Sequence, residues 1–449
     1  MLFSTLGYGV DNNHDSGILC CVMKYSPLSP SLFSGNRIRL FKELDEGSLL
    51  ILHSNDIYPT NADGVFALHQ NANFFYLTGI DQEESILAMR MKAGGDCHTT
   101  LFIKETNSQI AIWEGKKLSM EEAARLSGVD DIRWTTEYQP YLDEVMPEHA
   151  TVYLETNEHP RCVNPVQTRN MRMGDELKST WANKSFKNVY GILADMRLIK
   201  QAEEIEALQK ACAITAEGFK TTLKHIKPGM GEWEVEALLA REYLMRKARK
   251  FSFLPILASG ANSCVLHYID NDQMMKSGDL ILMDIGAEYG NYNGDMTRTI
   301  PVNGKFSPRQ REVYEAVLRT MVYAESLMRP GVLKSEYERL VRVYVGGELI
   351  SLGLLTEKDV ADDPEDPIAV KRYYMHGCSH SLGLDVHDVG NVSEFAPGMV
   401  FTIEPGIYIR EEGIGIRLEN DILIGEERNT NLLAAAPLNP DDIERLMAE

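Results

Sequence analysis

Ile205, Leu208, Cys212, Thr215, Phe219 and Ile226 recur at helical intervals, and this spacing predicts one face of a long helix. A second helix is expected after Gly231, with Trp233, Val235, Leu238, Leu239 and Tyr243 on its apolar side. A third opens at Ser307-Pro308, a capping serine before a proline at the first helical position, and stops at Pro330-Gly331. Apolar runs over residues 279–285, 297–302, 399–409 and 415–424 read as strands. Helices and strands in mixed order, without regular β-α-β alternation, predict an α+β domain with a largely antiparallel sheet. Upstream, short apolar runs at 48–53, 85–89, 99–104 and 109–113 alternate with helical stretches such as 119–126, which predicts a smaller α/β domain. The change of character near residue 190 sets the expected division into 23–190 and 191–449. Residues 1–22 read as an upstream start or a disordered extension, because the regular pattern begins after Met23. They lack the basic region, apolar stretch and cleavage site of a signal peptide.

Composition narrows the functional classes. Lys and Arg number 45 against 66 Asp and Glu, a formal charge of −21 over 449 residues. Nucleic-acid binding needs clustered basic side chains to displace counterions, and no such cluster occurs. No apolar run approaches the ~20 residues that span a bilayer, so no membrane role is expected. Seven scattered cysteines, without a C-x-x-C pair, favour a reducing, cytoplasmic setting.

Chemistry is concentrated in three places. The strand Leu280-Ile281-Leu282-Met283 ends in Asp284, and a Gly- and Asn-rich turn precedes Asp295. In a hairpin the two carboxylates would face each other, and buried they would repel unless a proton or cation lay between them. A pair of solvated loop-end aspartates is the plainer alternative. Next, His376, His380 and His387 fall within twelve residues, a metal or acid–base candidate cluster, although Gly377 and Gly383 argue against a zincin-like helix. Finally, Glu404 and Glu419 interrupt apolar runs, with Pro405 fixing Glu404 at a strand end. An ion pair between Arg417 and one of these glutamates is the structural alternative. Four carboxylates and one imidazole, without thiolate, suit hard or borderline divalent ions, and five ligands suffice for two. Such a pair would hold a hydroxide and clamp a tetrahedral intermediate, which points to hydrolysis.

The ordered set Asp284, Asp295, His380, Glu404 and Glu419 stands in the contexts MDIGAEY, GDMTRT, HGCSHSLGLDVHDVG, TIEPGIYI and GIGIRLENDILI. It closely resembles the pita-bread metallopeptidases of family M24, and within them the Xaa-Pro aminopeptidases. NADGVFALHQNANFFYLTGI is similar to the N-terminal, creatinase-like domain of that family, IWEGKK to its later strand and NPDDIERLM to its closing helix. The resemblance implies a curved, largely antiparallel catalytic sheet and two divalent ions, Mn²⁺ first, with Zn²⁺, Co²⁺ or Fe²⁺ as alternatives. Asp295 and Glu419 would bridge the ions, Asp284 would hold one, and His380 with Glu404 would complete the other. His267, His387 and His376 would lie beside the substrate, with Arg417, Tyr408 and Asp63 as substrate-side residues. Glu404 would carry the proton from water to the departing proline nitrogen, with His267 or His387 stabilising the oxyanion. The expected substrates are peptides with proline second, cleaved by a homo-oligomer, dimer or tetramer. Two departures stand out: the segment between Glu404 and Glu419 is short, and His69 stands where the family often has arginine. Prolidase shares the five ligands but holds a dipeptide's carboxylate, so tripeptide turnover separates the two readings. A non-catalytic binding module of the same fold is a remote third.

Overall fold

A six-stranded mixed sheet organises the first part of the chain: Leu49–His53 (β1), Ile86–Met91 (β2), Cys97–Ile103 (β3), Asp131–Trp134 (β4), Thr151–Leu154 (β5) and Ser185–Asn188 (β6). The computed structural model describes residues 25–449 apart from 93–96, 362, 363, 365 and 391, so the expected extension 1–22 lies outside the described residues. The strand order is β4-β3-β2-β1-β5-β6, with β1–β2 and β2–β3 antiparallel and the other pairs parallel. The unbroken apolar run of β1 makes it a central strand covered on both faces. Leu50 and Leu52 pack with Phe33, Leu40 and Phe74, whereas Leu49 and Ile51 pack with Phe102, Tyr141 and Val145. Burying each of these aliphatic side chains contributes about 1.5–3 kcal/mol, so a charge at either parity would break a core.

The larger part packs helices Ala202–Leu223, Glu232–Met245, Pro308–Leu327 and Lys334–Ser351 around antiparallel strands. Ile256–Ser259 (β7), Leu280–Ile285 (β8), Glu288–Tyr289 (β9), Tyr292–Asn293 (β10) and Met296–Pro301 (β11) come first. They are followed by Val400–Ile403 (β12), Gly406–Ile409 (β13), Ile414–Arg417 (β14) and Asn420–Leu423 (β15). Strands β11-β8-β7, β12-β15 and β13-β14 form short antiparallel sheets. The Thr299 hydroxyl donates to Arg417 O at 3.1 Å and Glu419 N–H donates to Thr297 O at 3.0 Å, joining β14 and the start of β15 to β11. Together with the mixed sheet, this is the expected α/β part followed by an α+β part with largely antiparallel strands.

Several expectations are corrected. Residues 109–113, read as a strand, belong to the helix Ser108–Glu114, and so does the start of IWEGKK. Asn107 caps it by accepting from Gln109 N and Ile110 N, and none of its residues is buried; Trp113 is 86% exposed. The apolar run there does not fill a core, so periodicity had nothing to report. Trp233 is half exposed and turns back over Gly231 instead of joining the apolar side of its helix. The runs 399–409 and 415–424 are each two strands, for a reason that builds the site. Among the described residues, no helix is long and apolar enough to cross a membrane.

Candidate active site

Pro405 has no N–H to give to a ladder, and Leu418 N–H donates to Pro405 O at 3.2 Å instead of continuing a regular pair. Both long strands therefore change sheet at the same level, between β12 and β13 on one side and β14 and β15 on the other. Glu404 and Glu419 sit at this break. They line a cavity of about 480 Å³ with Asp284, Asp295 and His380. In register Asp284 stands opposite Thr297, not Asp295, which lies diagonally on the same face. The intervening excursion, β9 to β10, turns at Gly290 and Asn291, both with positive φ (61° and 66°), as a two-residue hairpin loop of the primed type requires. A Cβ on Gly286 would lie 1.8 Å from Gly294 O, so the backbones beside the two aspartates meet only because glycine stands there.

Ligand atoms of Asp295, His380 and Glu419 lie within 4.8 Å of one another. His380 Nε2 is 3.5 Å from Asp295 and 3.7 Å from Glu404. His380 Nδ1 is 3.0 Å from Ser381 O, and a carbonyl only accepts, so Nδ1 carries the proton and Nε2 presents its lone pair to the carboxylates. Thr297 donates its hydroxyl to Glu419 at 2.7 Å, and Asp295 N–H donates to Asp421 at 2.9 Å. Burial, reinforced by the neighbouring carboxylates, holds Asp295 and Glu419 well above the ordinary carboxylate range. Burial also raises Glu404, although His380 and Arg417 pull the other way. Asp284 Oδ1 and Asp295 Oδ1 are buried without a hydrogen-bond partner. An orphaned buried carboxylate oxygen is costly. A divalent cation among these donors would remove that cost, so the residues fit a metal site.

Around this floor stand the three histidines. His267 and His387 line the cavity, and the His387 ring lies 4.4 Å from that of His380. Burial depresses His387 to about 3, so it is neutral at physiological pH. His376 also lines the cavity and is held near 4 by burial. Arg417 Nη1 donates to the Tyr408 hydroxyl at 3.0 Å, and that hydroxyl in turn donates to His376 Nε2 at 2.8 Å. His267 rides on a segment fastened by Glu232. That fully buried carboxylate accepts from Ser259 N and Oγ, from Tyr268 Oη and from Gln273 N.

The three expected substrate-side residues are placed differently. Arg417 lines the cavity, but its guanidinium is spent on Asp284 (2.6 Å), Tyr408 and Thr297, so its ion pair is with an aspartate instead of a glutamate. Tyr408 is fully buried behind Arg417 and His376 and does not line the cavity, because β13 turns it into the core with Ile256 and Leu282. Asp63 is exposed on a turn and lies outside the cavity. Sequence reasoning missed Thr297, Asp421 and Arg161. Asp421 follows Glu419 by two residues on one strand face, a spacing that could have found it. Arg161 enters the cavity wall from a loop of the smaller domain, which no local pattern signals.

Comparison with known proteins gives one consistent result. The model of metallopeptidase family M24 matches residues 206–426, and that of the aminopeptidase P N-terminal domain matches residues 33–153. The chain is 35% identical to an Xaa-Pro aminopeptidase of Escherichia coli over 94% of this chain and 98% of the relative. A second Xaa-Pro aminopeptidase, from Haemophilus influenzae, is also 35% identical, over 92% of this chain and 96% of the relative. Among solved structures, a putative aminopeptidase P from Bacillus anthracis superposes with a TM-score of 0.88 at 33% identity, covering 94% of this chain and 99% of the other.

Proposed function

The chain belongs to metallopeptidase family M24, and from that premise we propose how its residues divide the work of an Xaa-Pro aminopeptidase. The reaction is metal-dependent hydrolysis of the bond between an N-terminal residue and a following proline. One observation carries the site assignment: ligand atoms of Asp295, His380 and Glu419 lie within 4.8 Å of one another, beside carboxylate oxygens that have no other partner.

In this reading Asp284, Asp295, His380, Glu404 and Glu419 hold two divalent ions. Oxygen-rich donors with one imidazole and no thiolate suit Mn²⁺, Zn²⁺, Co²⁺ and Fe²⁺ alike, and the resemblance to the Xaa-Pro aminopeptidases puts Mn²⁺ first. When bound, the ions supply the Lewis acidity that makes water nucleophilic near neutral pH and polarises the scissile carbonyl. Glu404, whose affinity for a proton is raised by burial, takes the proton of the attacking water and passes it to the proline nitrogen. That transfer matters because an unprotonated amine is a poor leaving group. His267 and His387 donate ring N–H groups to the oxygen where charge develops, and the neutrality of His387 leaves it a donor without a competing charge. His376, steadied through Tyr408 by Arg417, walls the space for the proline ring. Arg417 also orients Asp284. Thr297 and Asp421 fix Glu419 and the Asp295 backbone.

Residues 23–190 would act as the domain that shapes the entrance and 191–449 as the catalytic domain. We place the protein in the cytoplasm on its seven scattered cysteines, which include no C-x-x-C pair. Assembly as a dimer or tetramer follows the usual preference for closed symmetric oligomers. An Xaa-Pro-Yaa tripeptide should be cut at the Xaa-Pro bond. Cleavage of Xaa-Pro dipeptides with tripeptides left intact would make this a dipeptidase instead.

A further inference from the structure

Arg161 lies between β5 and the helix Arg169–Thr180, in the smaller domain, yet it lines the catalytic cavity and the two narrower clefts that adjoin it. The loop is locally pinned: Arg161 N–H donates to His159 Nδ1 at 3.2 Å and Cys162 N–H to His159 O at 2.8 Å. The side chain is exposed, and its guanidinium has no hydrogen-bond or ion-pair partner among the described residues. Two arginines line the cavity, and the contrast between them is chemical. Arg417, at the floor, is occupied by Asp284, Tyr408 and Thr297. Arg161, at the rim, is free. The cavity is therefore polarised, with four carboxylates at the bottom and an unspent cation at the mouth.

Between them the wall is apolar. Leu254 and Ile269 are 69% and 50% exposed, so they can cover a side chain but offer a carboxylate nothing. A volume of about 480 Å³ falls in the ~300–1,000 Å³ range of small-ligand clefts and suits a short peptide. On the reading that the floor cuts the Xaa-Pro bond, a chain that continues from the proline toward solvent would pass the exposed Arg161. We propose that Arg161 receives the C-terminal carboxylate of a short peptide and so gives the enzyme a preference for Xaa-Pro-Yaa substrates with a free C-terminus. A guanidinium can take a carboxylate with two parallel hydrogen bonds, and an exposed pair of this kind contributes modestly.

The test compares Xaa-Pro-Yaa as free acid and as C-terminal amide, in the metal-loaded full-length enzyme and in R161A, R161Q and R161K. The wild type should favour the acid by about three- to tenfold in kcat/KM, expressed in KM, with the preference shrinking as salt rises. In R161A and R161Q the acid-to-amide ratio should fall to about one, and R161K should restore part of it. A ratio that R161A leaves at the wild-type value overturns the proposal. Calorimetric titration with Pro-Ala and Pro-Ala amide reads the same contact without turnover. If the wild type cleaved neither substrate, the hydrolase reading would fail, while loss of acid preference for Pro-Ala binding in R161A would still support the carboxylate contact.

Discussion

Two buried charge clusters lie close together in this molecule and are built on opposite principles. One fastens the domains together: Arg197, from the helix Tyr190–Leu198, binds Asp388 at 2.5 Å, Asp385 at 2.7 Å and Asn73 at 2.7 Å, and Lys200 binds Asp388 at 2.8 Å. Burial opposes the charge of Asp388, but Arg197 and Lys200 outweigh it and hold that carboxyl below its ordinary value. The other cluster is the catalytic floor, where Asp284, Asp295, Glu404 and Glu419 share one arginine, and where burial raises Asp295, Glu404 and Glu419. Matched buried charge is fold-holding, whereas unmatched buried charge of one sign has the chemistry of a cation site. The two are joined, because Asp388 follows His387 and exchanges backbone and hydroxyl hydrogen bonds with Ser381. The clamp thus holds the loop that supplies both His380 and His387.

The sharpest way to break this contrast is to remove one carboxylate from the floor. Asp295→Ala should lower kcat/KM by about 10³-fold or more while circular dichroism stays native, because on the proposed reading the residue would serve the ions and not the core. Arg197→Met should do the reverse. Leaving two aspartates short of their buried cation should cost about 3–5 kcal/mol of stability, read by denaturant unfolding, with kcat reduced less than tenfold.

A pH titration separates the clusters without mutation. A carboxyl whose folded pKa is raised stabilises most below its unfolded value near 4, and that contribution is lost as pH climbs to the folded value. Asp421, pushed by burial to about 7, marks the upper part of the window. Metal-free protein should therefore lose stability between about pH 4 and 7, by a few kcal/mol in all, and Mn²⁺ should flatten that slope. Asp388 behaves oppositely: its contribution is present above about 4 and lost only as pH falls through its lowered folded value, so the clamp adds no slope in this window. The smallest effect is expected at Trp113, where alanine should change stability by less than about 0.5 kcal/mol because the ring is exposed on its helix. A large loss there would contradict the helical placement.

What the sequence made legible follows from what determines it locally. Asp284, Glu404 and Glu419 were visible because each is a charge in an apolar run, and the long helix at 202–223 because its apolar face repeats. The diagonal offset of Asp295 was not legible, since register depends on the β9–β10 excursion. Nor was the burial of Tyr408, whose strand is cut from β12 by Pro405. Exposed apolar side chains such as Trp113 and Trp233 mislead a reading that equates apolar with buried. Arg161 reaches the cavity across a domain boundary, a relation that only the folded chain contains.

The central claim is that the unmatched carboxylates and His380 form a divalent-metal centre on which hydrolysis depends. Elemental analysis of wild type and of Asp295→Ala after loading with Mn²⁺, paired with the activity of each, tests it directly. The expected result is about two ions per wild-type chain, fewer in the variant, and activity lost on chelation and restored by the metal. Equal metal content in the two proteins, or full activity in the chelated wild type, would contradict it.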